Sequence, residues 1–90
     1  MIEYKAAFYE DRENRWFLAK VLDFPGVVTQ GRTLARARSM LHDALREMTE
    51  WLLEDGRPLP HPNPAASDPK ADVIEPIRLI IRVQSGAAAP

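Results

Sequence analysis

The sequence predicts an α+β domain with the element order β-β-β-α-β, and three observations carry that prediction. Ile2 to Glu10 and Arg15 to Leu22 read as strands joined by the polar turn Asp11 to Asn14. Apolar residues then recur at three- and four-residue steps from Leu34 to Leu52, the spacing of one helix face. Beyond a proline-rich stretch, Glu75 to Val83 alternates again as a strand.

In the first strand Ile2, Tyr4, Ala6 and Phe8 alternate with Glu3, Lys5, Ala7 and Tyr9. The second is apolar on both sets, with Trp16, Leu18 and Leu22 against Phe17, Ala19 and Val21. Such strands are usually covered on both faces. Asp23-Phe24-Pro25-Gly26 reads as a turn, because Pro25 pre-sets its own φ and Gly26 can take a positive one. Val27 to Gln30 is a short third strand. Thr33 is a good N-cap, since its hydroxyl can accept from a free amide of the first turn. Leu34, Ala37, Leu41, Leu45, Met48 and Leu52 form the apolar stripe, and the helix runs to about Asp55, with Gly56 terminating it and Pro58 beyond.

Arg57 to Asp72 holds five of the eight prolines and should follow an extended path. The last strand places Ile77, Leu79, Ile81 and Val83 on one face, with Arg78, Ile80 and Arg82 on the other. Residues 85–90 are expected to fray, leaving a domain over 1–84. A strand reached through a helix normally lies parallel to a neighbour by a right-handed crossover. The expected sheet is therefore an antiparallel three-stranded meander with a fourth strand parallel to the first and one long helix on one face. One helix cannot cover both faces, so the second face or an edge is expected to meet another chain, making a homo-oligomer.

Composition excludes several function classes. The 90 residues are 46% hydrophobic and 28% charged, as in a folded chain, and contain no cysteine. His42 and His61 are far apart and neither sits in a metal-ligand spacing, so no metal or cofactor is expected. The N-terminus lacks a signal-peptide pattern and no apolar run approaches the ~20 residues of a membrane span, which points to a cytoplasmic protein without membrane contact. A net charge of −1 argues against a dedicated nucleic-acid binder while leaving room for a local basic patch.

Gly26 to Thr33, "GVVTQGRT", has the spacing of a phosphate-binding P-loop with Arg32 in the lysine position. Val27 and Val28 are β-branched and favour extended backbone where converging amides would need freedom. Arg32 is not equivalent to the compact lysine charge. The plainer reading is turn, strand, glycine and helix cap.

The same residues belong to a larger pattern. Phe24-Pro25-Gly26, the valine-rich Val27-Val28, Gly31-Arg32-Thr33-Leu34 opening a helix, and Gly56-Arg57-Pro58-Leu59-Pro60 after it together resemble the HicB-like antitoxins over roughly residues 2–84. The resemblance implies a partial ribonuclease-H-like domain that belongs to a type II toxin–antitoxin system. It further implies steric occlusion of a small mRNA-cleaving, HicA-like toxin, with no catalysis. Family members often continue into a DNA-binding segment. Only seven residues follow Val83, so direct DNA binding by this chain is not expected. Solitary HicB-like domains without a toxin also exist, so an oligomeric binding domain is the alternative.

Helix charge runs against the macrodipole, with Arg36 and Arg38 near the start and Glu47, Glu50, Glu54 and Asp55 near the end. These read either as solvated charges or as a polarised surface whose acidic end faces a basic partner. Tyr9, Trp16, Leu18 and Trp51 join Glu47, Glu50 and Glu54 as candidate toxin or oligomer contacts, since exposed tryptophan is enriched at interfaces. For Trp16 and Trp51 ordinary packing is the competing reading. Among the acidic residues Glu3, Glu10, Asp11, Glu13 and Asp23, no metal-binding cluster is expected, which argues against a nuclease.

Overall fold

A computed structural model describes residues 1–81. The strands are β1 (Ile2–Asp11), β2 (Trp16–Val21), β3 (Val28–Gly31) and β4 (Val73–Leu79), and the helix is α1 (Leu34–Glu54). They form one four-stranded sheet in the order β3-β2-β1-β4 with α1 on one face. The expected strand residues Arg82 and Val83, the domain end at 84 and the fraying over 85–90 lie outside the described residues.

The expected parallel fourth strand is corrected: β4 runs antiparallel to β1, pairing Phe8 with Val73 and Ile2 with Leu79. The connector explains the reversal. Gly31 pairs with Phe17 and Phe17 with Glu10, so α1 starts at the Glu10 end of the sheet. Its later turns reach Leu79, which pairs with Ile2 at the opposite end. A short link there would have produced a parallel strand. Instead, Arg57–Asp72 climbs back along the sheet. It is tied first by the Tyr4 hydroxyl donating to the Pro60 carbonyl (2.8 Å), then by the Tyr9 hydroxyl donating to Asp68 (2.6 Å). Finally the Asp72 amide donates to Phe8 and the Glu10 amide donates to the Asp72 carboxylate. The connector is not extended throughout as expected: the Ala66 amide donates to Asn63 and the Ala71 amide to Asp68, two turns that interrupt it on the way back along β1.

Tyr4, Ala6 and Phe8 of β1 face α1 and pack with Ala19, Val21, Phe24, Val27, Ala37, Leu41, Leu45, Ile77 and Leu79. Burying each large aliphatic or aromatic side chain here contributes about 2 kcal/mol. Phe24 meets Tyr4 edge-on at 5.2 Å between ring centroids, so the Phe-Pro-Gly turn is anchored in the core by Phe24 while Pro25 and Gly26 stay exposed. Gly26 has φ +90, as the turn requires. Gly31 serves close approach: a Cβ there would stand 2.6 Å from the Ala37 amide nitrogen. Thr33 accepts from the Arg36 amide (3.0 Å). At the other terminus Gly56 (φ +68) donates to Leu53 and Arg57 donates to Leu52, a Schellman ending. Pro58 and Pro60 follow it into the connector.

Pro76 sits inside β4, opposite Lys5. The Lys5 amide and carbonyl both turn toward the β2 side, to Asp23 and Leu22. The Pro76 nitrogen therefore faces the outer edge, where its missing donor blunts strand addition.

Candidate functional site

The helix stripe that fixes α1 on the sheet also decides what its ends display. Ala37, Leu41 and Leu45 are buried, and Thr49 joins them at 3% exposure by donating to the Leu45 carbonyl (2.8 Å). Residues off this stripe face solvent. In the last turns that leaves Glu47, Glu50 and Glu54 exposed around Trp51, which is 58% exposed. Glu47, Met48 and Trp51 border a shallow depression of about 280 Å³ against Gly26 and Val27. Glu47 and Trp51 therefore lie beside the Phe-Pro-Gly turn, while Glu50 borders a second depression with Leu79, Ile80 and Ile81 on the β4 side, and Glu54 stands exposed in the last turn. Exposed carboxylates on the helix face that carries an exposed indole can pair with basic side chains while the indole supplies apolar contact.

Trp16 lies at the other end. The Arg32 guanidinium stacks over its ring at 4.6 Å, and both line a cleft with Arg36 and Met40 at the start of α1. No acidic residue occupies the first turn. Trp16 and Trp51 are thus not brought together.

Tyr9 and Leu18 pair across β1 and β2 on the face away from α1. Tyr9 is committed to the connector. Its partial burial, then its bond to Asp68 and that carboxylate's charge, push its hydroxyl up to about 12, while the bond holds the Asp68 carboxyl below its usual range. Lys20 lies 5.3 Å from the Tyr9 ring. The connector thus occupies part of the sheet face expected to await another chain. Leu18 stays 42% exposed there, and Val28 54% on the edge strand β3.

Two roles escaped sequence reasoning. Arg38 is not a solvated charge: it donates twice to Glu75 of β4, at 2.7 and 2.9 Å, and holds the Glu75 carboxyl below its ordinary value. A pair this far apart in sequence leaves no local signal. Asp23 accepts from the Lys5 amide and the Asn63 amide, both at 2.9 Å, and so staples the strand end to the connector. Its position before Phe-Pro-Gly was the available signal. Among the described residues no group of three or more His, Asp or Glu side chains converges as a metal site, and no helix is long and apolar enough to cross a membrane.

Comparison with solved structures places this architecture. The N-terminal domain of the Burkholderia pseudomallei antitoxin HicB superposes with a TM-score of 0.71 at 21% identity, over 89% of this chain and 100% of that one. The chain has the fold of a HicB N-terminal domain. The Burkholderia pseudomallei HicB antitoxin structure matches with a TM-score of 0.70 at 23% identity, over 88% of this chain and 64% of HicB, so the chain spans less than two thirds of that antitoxin. A chain of the HicA3 and HicB3 toxin–antitoxin complex matches at 0.64 and 19% identity, over 86% of this chain and 96% of its own length. No family model matches the sequence, and no curated protein matches it significantly.

Proposed function

We propose that this protein is a HicB-like antitoxin that binds a HicA-like mRNA-cleaving toxin and blocks its active site sterically, without catalysis of its own. The observation that carries the reading is the shared HicB N-terminal fold, joined to the Phe-Pro-Gly, Gly-x-Thr-Leu and Gly-x-Pro-Leu-Pro positions that each serve this fold. The neighbour in the HicA3 and HicB3 complex supports a protein partner of that kind. On this reading the partner docks on the acidic Trp51 surface. A toxin that handles RNA carries basic charge, and Glu47, Glu50 and Glu54 complement it while Trp51 anchors the contact. The protein would act in the cytoplasm, where mRNA is translated.

Co-expression with the product of an adjacent small basic reading frame tests this. The expected result is a co-purifying complex and restored growth. A toxic partner that neither co-purifies nor loses toxicity would refute it.

A second reading, self-association as an oligomeric binding domain, is favoured by one feature. Val28 of the edge strand β3 and Leu18 of its neighbour β2 are both exposed. Light scattering should then give a mass above the 10.2 kDa monomer. A monomer at micromolar concentration would remove it.

A further inference from the structure

The Trp16 end carries a feature that toxin binding at Trp51 does not use. Two clefts meet there and share Trp16 and Arg32. The larger, about 620 Å³, runs between Gln30, Arg36 and Met40. The smaller, about 290 Å³, is walled by Arg12, Arg15 and Glu10. Among the described residues Arg15, Arg32 and Arg36 make no ion pair, and Arg12 makes only a long, exposed one to Glu10 at 3.7 Å. Asp11, bonded by the Asn14 amide and side chain, keeps its charge but does not line either cleft, whose lining charges are Arg12, Arg15, Arg32 and Arg36 against Glu10. The clefts are therefore locally basic although the chain's net charge is −1.

The backbone adds an independent observation. Arg15 has φ 59, the one positive φ at a non-glycine residue among those described. Left-handed backbone is unfavourable for a residue with a Cβ. Glycine would meet the turn's demand without that cost, yet the strained position carries a cation beside Trp16. A left-handed residue commonly closes a hairpin loop of this length, and here the residue that does so lines the smaller cleft beside Trp16.

We propose that this double cleft binds a single-stranded nucleic acid segment, with a base against the Trp16–Arg32 stack and flanking phosphates at Arg36 and Arg15. Single-strand sites combine cationic side chains that follow the backbone with flat surfaces on which bases stack, and arginine serves both purposes. An acidic peptide would use the charges but leave the Trp16–Arg32 stack without a role. The proposal does not depend on a toxin partner, because the cleft lies at the opposite end of α1 from Trp51.

The test uses the full chain carrying Trp51→Phe, which leaves Trp16 as the only tryptophan. A short single-stranded RNA should quench its fluorescence, and binding should weaken with salt by about 0.7 in log–log slope per phosphate engaged. Arg36→Ala should lower that slope by about one such increment. Arg32→Lys keeps the charge but loses the flat stack, and should weaken binding roughly ten-fold, as loss of one stacking contact does. Arg15→Gly should weaken binding while raising resistance to urea, a combination that simple damage to the fold would not produce. The proposal is overturned if RNA gives no quenching at millimolar concentration. Binding that ignores the Arg32 and Arg36 changes, or competition by polyglutamate as effective as by RNA, would overturn it equally.

Discussion

The two ends of α1 each present a tryptophan among charges, but in opposite settings. At the start, Trp16 belongs to a strand, is half-buried and lies under Arg32, and the helix reaches it only because Gly31 lets strand and helix touch. At the finish, Trp51 belongs to the helix itself, stands clear of the core and shares the exposed helix face with Glu47, Glu50 and Glu54. The first surface depends on tertiary packing, whereas the second follows from helical spacing alone. A mutation near Trp16 should therefore disturb folding and surface together. One near Trp51 should disturb only the surface.

The largest expected effect breaks the first end. Gly31→Ala drives a Cβ against the Ala37 backbone, which cannot yield as a flexible side chain would. The fold should lose about 3 kcal/mol, read by urea unfolding. Next, if the proposed docking at Trp51 holds, Trp51→Ala should weaken capture of a HicA-like toxin by about 2 kcal/mol in a titration, with unfolding free energy nearly unchanged. Trp16→Ala should do the reverse, lowering stability and leaving toxin capture intact. Equal effects of the two changes on capture would erase the distinction between the ends.

A smaller effect comes from Arg38, the one arginine of the helix start that is tied to the sheet. Arg38→Ala should lower the urea midpoint by more than removal of an ordinary surface pair such as Arg46–Asp43, because both its bonds to Glu75 are short and share one fork. Glu75 and Asp68 both have carboxyls held below their ordinary values in the folded state. Their stabilisation is thus complete above the ordinary carboxylate range and is lost as pH falls through it toward the lower folded values. Thermal melts should show this acid loss, and Glu75→Gln should reduce it. Tyr9 has the opposite sign. Its hydroxyl, pushed from 10.0 to about 12, contributes fully below pH 10.0 and loses its contribution as pH climbs toward about 12, so Tyr9→Phe should flatten the alkaline limb. The smallest effect compares the ends directly: Arg36→Glu and Glu54→Lys should each stabilise the helix by about 0.5 kcal/mol at low salt, and added salt should shrink the gain.

Local chemistry was legible in the sequence. The Thr33 cap, the Gly56 ending, the stripe from Leu34 to Leu52 and the Phe24-Pro25-Gly26 turn each depend on residues within a few positions of one another. β3 sits one residue later than expected, and β4 begins two residues earlier and stops at Leu79, leaving the expected Ile80 and Ile81 outside the strand, as strand ends depend on partners more than on propensity. Of the candidate contacts, the exposed acidic set around Trp51 followed from helical periodicity. Tyr9 did not, because its partner Asp68 lies across the proline-rich connector.

The sequence by itself determined which segments are strand, helix and proline-rich link, and how charge is distributed along α1. These are consequences of periodicity, capping and proline geometry. Tertiary structure alone decided the direction of β4, because the connector could either turn at once or return along the sheet, and only its ties to Tyr4, Tyr9 and Glu10 select the return. Tertiary structure also separated Arg38, drawn to Glu75, from Arg32 and Arg36, left at the Trp16 cleft. The three lie within one stretch of chain, and only the position of β4 distinguishes them.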